Sequence, residues 1–254
     1  MKQSKVWTRL FLLLSVVIMG IVSTSISCTP AYAVNTSTFK KTFGKVFKKN
    51  KKEALEWGDQ HYSKWLKNLN EDERKDLKGY TGSQYDNINT YLRTNKGKLI
   101  GSPLDQKINN IDLALKRAYV PEDITVYRRV TDLQFAKEVN TLRPQDDQHQ
   151  FGKTIDRNAF SQIRQEFYNK TFSSDGYMST SLSQDPHESF AKHPVLLKIS
   201  VPAGTNAGFV DSISGYSQAE LLIQRGYTYR YTSFDIETDS SGKEYVAVEV
   251  ELRR

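Results

Sequence analysis

The chain is expected to fold as an α+β protein, with helices first and strands afterwards. Two observations carry that assignment. Between residues 36 and 118 the apolar side chains recur at helical spacing, whereas from Pro121 onward the chain is a series of short β-branched and aromatic runs. With 254 residues, it is also long enough to bury a substantial core. It shows no internal repeat and no low-complexity tract.

The first segment reads as a leader rather than as part of the fold. Lys2, Lys5 and Arg9 precede an apolar stretch from Leu10 to about Ile26, and Ala31-Tyr32-Ala33 follows. A basic start, an apolar centre and an A-x-A ending mark a secretory signal peptide, so cleavage is expected after Ala33. Ser15, Ser23, Thr24 and Ser25 dilute the run, which is short for a membrane span of about 20 residues. Ser25 also lacks the large aliphatic side chain that lipid attachment at Cys28 calls for. Residues 34–254 are then expected to form one secreted, soluble, monomeric domain. Loss of three basic residues lowers its formal charge from +7 to +4. The single cysteine leaves with the leader, so no disulfide is available and the core must carry the stability.

Phe39, Phe43, Val46 and Phe47 predict a first amphipathic helix, surrounded by Lys40, Lys41, Lys45, Lys48, Lys49, Lys51 and Lys52. This charge run reads as a solvated face, or else as a contact for an acidic partner or an anionic membrane surface. A second helix carries Ala54, Leu55, Trp57, Tyr62, Trp65, Leu66 and Leu69, with its tryptophans as core anchors. Asn70 followed by Glu73 is a capping pattern that opens a third helix, which Gly79 closes. Residues 83–93 give a fourth and 103–118 a fifth, with Pro103 in the first turn. The run ITVYRRV at 124–130 reads as the first strand, 142–154 as a loop and 156–168 as a helix. Strands are then expected at 177–182, 195–201, 207–210, 220–224, 227–236 and 245–252, with Asp239-Ser240-Ser241-Gly242 turning the last hairpin.

Several chemistries lack their residues. His61, His149, His187 and His193 show no metal-binding spacing, and there is no H-E-x-x-H. The chain has no G-x-S-x-G elbow, no P-loop and no G-x-G-x-x-G after a strand. Redox cofactors, structural zinc and P-loop chemistry therefore have little support.

Three segments remain. Tyr127-Arg128 lies within a strand, Gly176-Tyr177-Met178-Ser179-Thr180-Ser181 opens another, and Gly215-Tyr216-Ser217-Gln218-Ala219-Glu220 runs into a third. Each alone is unspecific, since a strand arginine or glutamate is usually a solvated charge. Their order and strand contexts together are specific. The set resembles the Arg/Ser-Thr-Ser/Gln-x-Glu signature of bacterial mono-ADP-ribosyltransferase toxins, and is most similar to the small single-domain exoenzymes that modify Rho GTPases. The resemblance covers nearly all of 34–254, including Tyr80-Thr81-Gly82 and Ile88-Asn89-x-x-Leu92-Arg93. It implies an ADP-ribosyltransferase fold: two packed, mainly antiparallel β-sheets with NAD⁺ in the cleft and an N-terminal helical region.

The chemistry explains the residue types. Breaking the bond from ribose to the cationic nicotinamide of NAD⁺ builds an oxocarbenium-like sugar, as in glycoside hydrolysis. A carboxylate beside the ribose stabilises that charge, and Glu220 is the catalytic candidate. In an extended segment Gln218 shares its face, and its amide both donates and accepts, which suits the amide of a target protein. Ser179 and Ser181 share a face by the same period. The resemblance makes Ser179 the serine that holds Glu220 and Arg128 the arginine that supports the NAD⁺ phosphates. Arg93 is expected as the second phosphate partner, with Asn89 one helical turn before it. Thr180 is grouped with the NAD⁺ site, against ordinary strand packing. The family's flap corresponds to 185–194, where Phe190 fills the aromatic role and Lys192-His193-Pro194 stands in place of an arginine. Tyr216 is assigned with Gln218 to target recognition, although one residue closer to it than in many relatives.

The expected function is transfer of ADP-ribose from NAD⁺ to an asparagine of a host Rho-family GTPase in the host-cell cytosol. Nicotinamide is released, and NAD⁺ is a substrate rather than a cofactor. No metal, prosthetic group, nucleic acid partner or stable membrane insertion is called for. The rivals are an NAD glycohydrolase or an arginine-specific transferase on the same fold, or a non-catalytic surface-binding protein.

Overall fold

The computed structural model describes residues 43–145, 152–184 and 192–253. The leader and Phe190 lie outside the described residues, as do Phe39, Lys40 and Lys41.

The helical half begins later than its apolar pattern predicts. Residues 43–50 are not helical. Lys45 makes a parallel bridge to Ile124, its N–H donating to Asp123 O (2.8 Å) while its carbonyl accepts from Thr125 N (2.9 Å). The backbones meet at Gly44, which has φ +57° and where a Cβ would fall 1.9 Å from Asp123 O. A helix this short gains little by itself, so strand pairing prevails. Phe47 is still buried, edge-on to Trp57 at 5.6 Å.

Helix α1, Lys51–Lys67, opens on Asn50, whose side chain accepts from Glu53 N. Trp57 and Trp65 anchor the core as expected, their indole N–H groups donating to Glu122 Oε1 and Ala114 O, both at 2.9 Å. Helix α2, Glu71–Gly79, begins with the reciprocal Asn70/Glu73 capping box. Gly79 does not end it. With φ −62° and ψ −42° it stays helical, and the chain passes through a π-type turn, Tyr80–Gln84, into α3, Tyr85–Thr94. Helix α4, Asp105–Lys116, buries Ile108, Ile111, Ala114 and Leu115.

Strand β1, Ile124–Val130, has the expected bounds and is followed by a 3₁₀ turn, Asp132–Phe135. Helix α5, Arg157–Phe167, is capped by Asp156, which accepts from Asn158 N and Ala159 N. The remaining strands are β2 Thr171–Ser173, β3 Met178–Ser181, β4 Val195–Val201, β5 Ala207–Phe209, β6 Glu220–Ile223, β7 Thr228–Thr238 and β8 Glu244–Arg253. Strand β2 was not foreseen, because three residues carry no readable alternation.

The strands run in the order β2-β7-β8-β4-β1-β3-β6-β5. All pairs are antiparallel except β4–β8. A five-stranded segment ending at β1 meets a three-stranded segment beginning at β3, and the register there is a single pair, Tyr127↔Ser181. The expected mainly antiparallel strand layers are thus hydrogen-bonded into one eight-stranded sheet. One core cluster joins Val126, Ile199 and Val248 of the first segment to Phe209 and Leu222 of the second and Ile111 of α4. Where the ladder thins between β1 and β3, polar residues of both strands face a cavity.

Candidate active site

The cavity has a volume of about 420 Å³ and takes its walls from four places. The π-type turn and α3 supply Tyr80, Thr81, Gly82, Tyr85 and Asn89; β1 supplies Tyr127, Arg128 and Arg129; β3 and its end supply Ser179, Thr180, Ser181 and Gln184; the start of β6 and the segment leading into it supply Glu220, Gln218 and Tyr216.

Glu220 is the first residue of β6 and stands opposite Ser181 on β3. Its side chain is 7% exposed. The Ser179 hydroxyl donates to Glu220 Oε1. Burial, and secondarily the charge of Asp211, push the Glu220 carboxyl above its ordinary value, while the Ser179 hydrogen bond and the Arg128 charge oppose the rise. Arg128 braces the same strand, its Nη1 donating to Ser179 O at 2.7 Å. The structure thus joins Arg128, Ser179 and Glu220 as the sequence pattern predicts.

Gln218 and Glu220 both line the cavity, but not by strand alternation. Ala219 between them has φ +50°, and β6 begins only at Glu220. The shared-face expectation is therefore corrected: a left-handed turn presents the two side chains. The turn is held from both sides. Gln218 N donates to Asp211 Oδ1 (2.7 Å), and Ser181 Oγ donates to Gln218 O (2.7 Å). Leu182 N donates to Ala219 O at 3.0 Å. The Gln218 side-chain amide makes no hydrogen bond among the described residues, whereas Tyr216 stands 60% exposed at the rim.

The expected pairing of Asn89 with Arg93 is not present. Asn89 is 5% exposed and knits the wall, Nδ2 donating to Tyr80 Oη (2.9 Å) and Oδ1 accepting from Tyr177 N (3.0 Å). Arg93, one turn later, is exposed and outside the lining, although its charge acts on Tyr80 and Arg128. Thr180 lines the cavity, but its hydroxyl donates to Leu221 O at 2.7 Å, the strand-packing role.

Sequence reasoning passed over Arg129, Tyr85 and Asp211. Arg129 adjoins Arg128, and its guanidinium lies 4.3 Å from the Tyr245 ring centroid. Strand alternation sends neighbours to opposite faces, so β1 gave no reason to assign both arginines to one cavity. Tyr85 lies within the helix expected over 83–93 and opens α3, and helical periodicity alone does not show which face meets the cavity. Asp211 lies seven residues from its partner Gln218, beyond any periodic pattern. No group of three or more His, Cys, Asp or Glu among the described residues is placed to hold a metal ion.

A buried carboxylate with an arginine beside it suits the departure of a cationic leaving group. A profile of the ADP-ribosyltransferase exoenzyme family matches residues 54–253. The chain is 31% identical over 220 residues to a mono-ADP-ribosyltransferase C3 of Clostridium botulinum D phage, covering 85% of this chain and 82% of that one. It superposes on Plx2a, an ADP-ribosyltransferase toxin from Paenibacillus larvae, with a TM-score of 0.72 and 34% identity, covering 82% of this chain and 99% of that one. The C3 exoenzyme of Clostridium limosum gives a TM-score of 0.71 at 29% identity, covering 83% and 97%. The chain belongs to the ADP-ribosyltransferase exoenzyme family, as a mono-ADP-ribosyltransferase with NAD⁺ as substrate.

Proposed function

We propose that the protein is secreted after loss of residues 1–33 and transfers ADP-ribose from NAD⁺ to an asparagine of a host Rho-family GTPase. The observation that carries this reading is the turn at Ala219, which sets the uncommitted amide of Gln218 beside the buried Glu220. Arg128 and Arg93 hold the phosphates, Asn89 and Thr180 shape the wall, and Phe190 takes the aromatic role that the resemblance assigns. The bond between ribose C1′ and the nicotinamide nitrogen breaks, nicotinamide leaves as a neutral molecule, and the Glu220 carboxylate stabilises the oxocarbenium. The asparagine amide nitrogen then attacks C1′ and passes its extra proton to solvent. That amide is a poor nucleophile, so position rather than basicity must drive the step. Gln218 pairs with the acceptor amide through complementary donor and acceptor groups, and Tyr216 receives the protein surface around it.

Labelled NAD⁺ mixed with purified Rho GTPase and residues 34–254 tests the reading, with mass spectrometry of the modified peptide. Label on an asparagine supports it. Label on an arginine, free ADP-ribose alone, or no turnover each overturns the acceptor assignment.

A further inference from the structure

We infer that Asp211 is a positioning residue of the transfer reaction: its carboxylate clamps the turn that carries Gln218 and Glu220 and sets the charge environment in which Glu220 works. The inference rests on the acceptor role given above to Gln218.

Asp211 lies just beyond β5, and one carboxylate oxygen, Oδ1, accepts from two backbone groups, Gln218 N at 2.7 Å and Glu220 N at 3.3 Å. These are the two residues on either side of Ala219, which is fully buried in a left-handed conformation. An alanine adopts that conformation only when its surroundings determine it. The carboxylate does so together with three other bonds. Ser181 Oγ holds Gln218 O, Leu182 N holds Ala219 O, and Val210 N holds Glu220 O at 3.0 Å. With the backbone of the turn engaged in this way, the Gln218 side chain remains available to a ligand.

The charge of Asp211 is a separate matter. A neutral oxygen could accept the same two bonds, yet the position carries a carboxylate close enough to oppose ionisation of Glu220. The other groups facing Glu220 are Arg128 on β1, Ser179 on β3 and Tyr80 on the π-type turn. Burial raises the carboxyl most; Arg128 and the Ser179 hydrogen bond favour the ionised form, and Asp211 is the charged neighbour that adds to the rise.

Two variants separate the clamp from the charge. Asp211→Asn keeps an oxygen at the same place, so the acid limb of the turnover profile should move to lower pH with NAD⁺ affinity unchanged. Asp211→Ala removes the acceptor, so amide exchange at Gln218 and Glu220 should quicken. Labelling of Rho GTPase should then fall about 100-fold, the scale of a misplacement of one ångström, while nicotinamide release without acceptor falls much less, because β6 remains paired with β3. An unmoved acid limb in Asp211→Asn, or equal loss of labelling and nicotinamide release in Asp211→Ala, overturns the inference. If the parent releases nicotinamide but labels no Rho GTPase, the acceptor reading fails by itself, and the pH and exchange measurements still decide the clamp.

Discussion

Ser179 stands opposite Leu222 in the β3–β6 register, yet its hydroxyl reaches diagonally to Glu220, which stands opposite Ser181. The hydrogen bond favours the ionised carboxylate against the burial that raises it. Removing the hydroxyl in Ser179→Ala leaves burial less opposed, so the carboxyl rises further and the acid limb of kcat moves to higher pH. Arg128 still bonds the Ser179 backbone, so NAD⁺ affinity should change little. A pH profile of nicotinamide release, with binding measured in parallel, checks both statements. An acid limb that stays in place removes Ser179 from the control of Glu220.

Glu220→Gln keeps the shape and the Ser179 contact but removes the negative charge. Turnover should fall by about 10²–10³-fold or more, with NAD⁺ binding affected much less, because the proposed phosphate partners are Arg128 and Arg93 rather than Glu220. Stability should move the other way. The folded carboxyl lies above its unfolded value, so folding is penalised once pH rises past the unfolded value, and fully so above the folded one. The glutamine variant should therefore unfold at higher temperature than the parent at neutral pH, with the difference shrinking in acid. A stability difference that grows as pH falls contradicts the sign.

Gln218→Glu replaces a neutral amide with a carboxylate and leaves the Glu220 carboxylate in place. Labelling of Rho GTPase should drop strongly while NAD⁺ hydrolysis survives. A cationic guanidinium suits a carboxylate better, so weak labelling of agmatine is the expected new activity. A paired assay of labelling and nicotinamide release on one preparation checks this. Labelling at the parent rate shows that Gln218 does not select the acceptor.

Arg128 lines the cavity and braces β3, whereas Arg93 is exposed and acts on the site from outside its lining. Arg128→Ala should weaken NAD⁺ binding and turnover together. Arg93→Ala should weaken binding alone, and by a smaller factor that shrinks in added salt. Calorimetric NAD⁺ titration at two ionic strengths distinguishes them, and unchanged affinity in Arg93→Ala excludes it from the phosphate site.

How much of this was legible depended on how far apart the deciding groups lie. The Asn70/Glu73 cap spans three residues, and the β-branched runs of β1 and β4 carry their own alternation, so both were readable. Arg128, Ser179 and Glu220 were readable as a set because residue types, order and strand context matched one chemistry. The segment at 43–50 was misread, since its apolar spacing fits a helix and only the approach of Asp123 to Gly44 turns it into a strand partner. Gly79 was misread for the converse reason: nothing local shows that a glycine with helical angles will carry the chain into a π-type turn.

The sequence by itself determined the order of helices and strands, the local caps and the chemical inventory of the site, because periodicity and short-range hydrogen bonds are properties of neighbouring residues. Only the tertiary structure decided which inventory members face one another. Asn89 turns into the wall because Tyr80 and Tyr177 satisfy its amide there, and Arg93 points outward. Gln218 joins Glu220 because Asp211, on the far side of the loop, and Leu182, on another strand's end, hold Ala219 in a conformation that its own side chain disfavours.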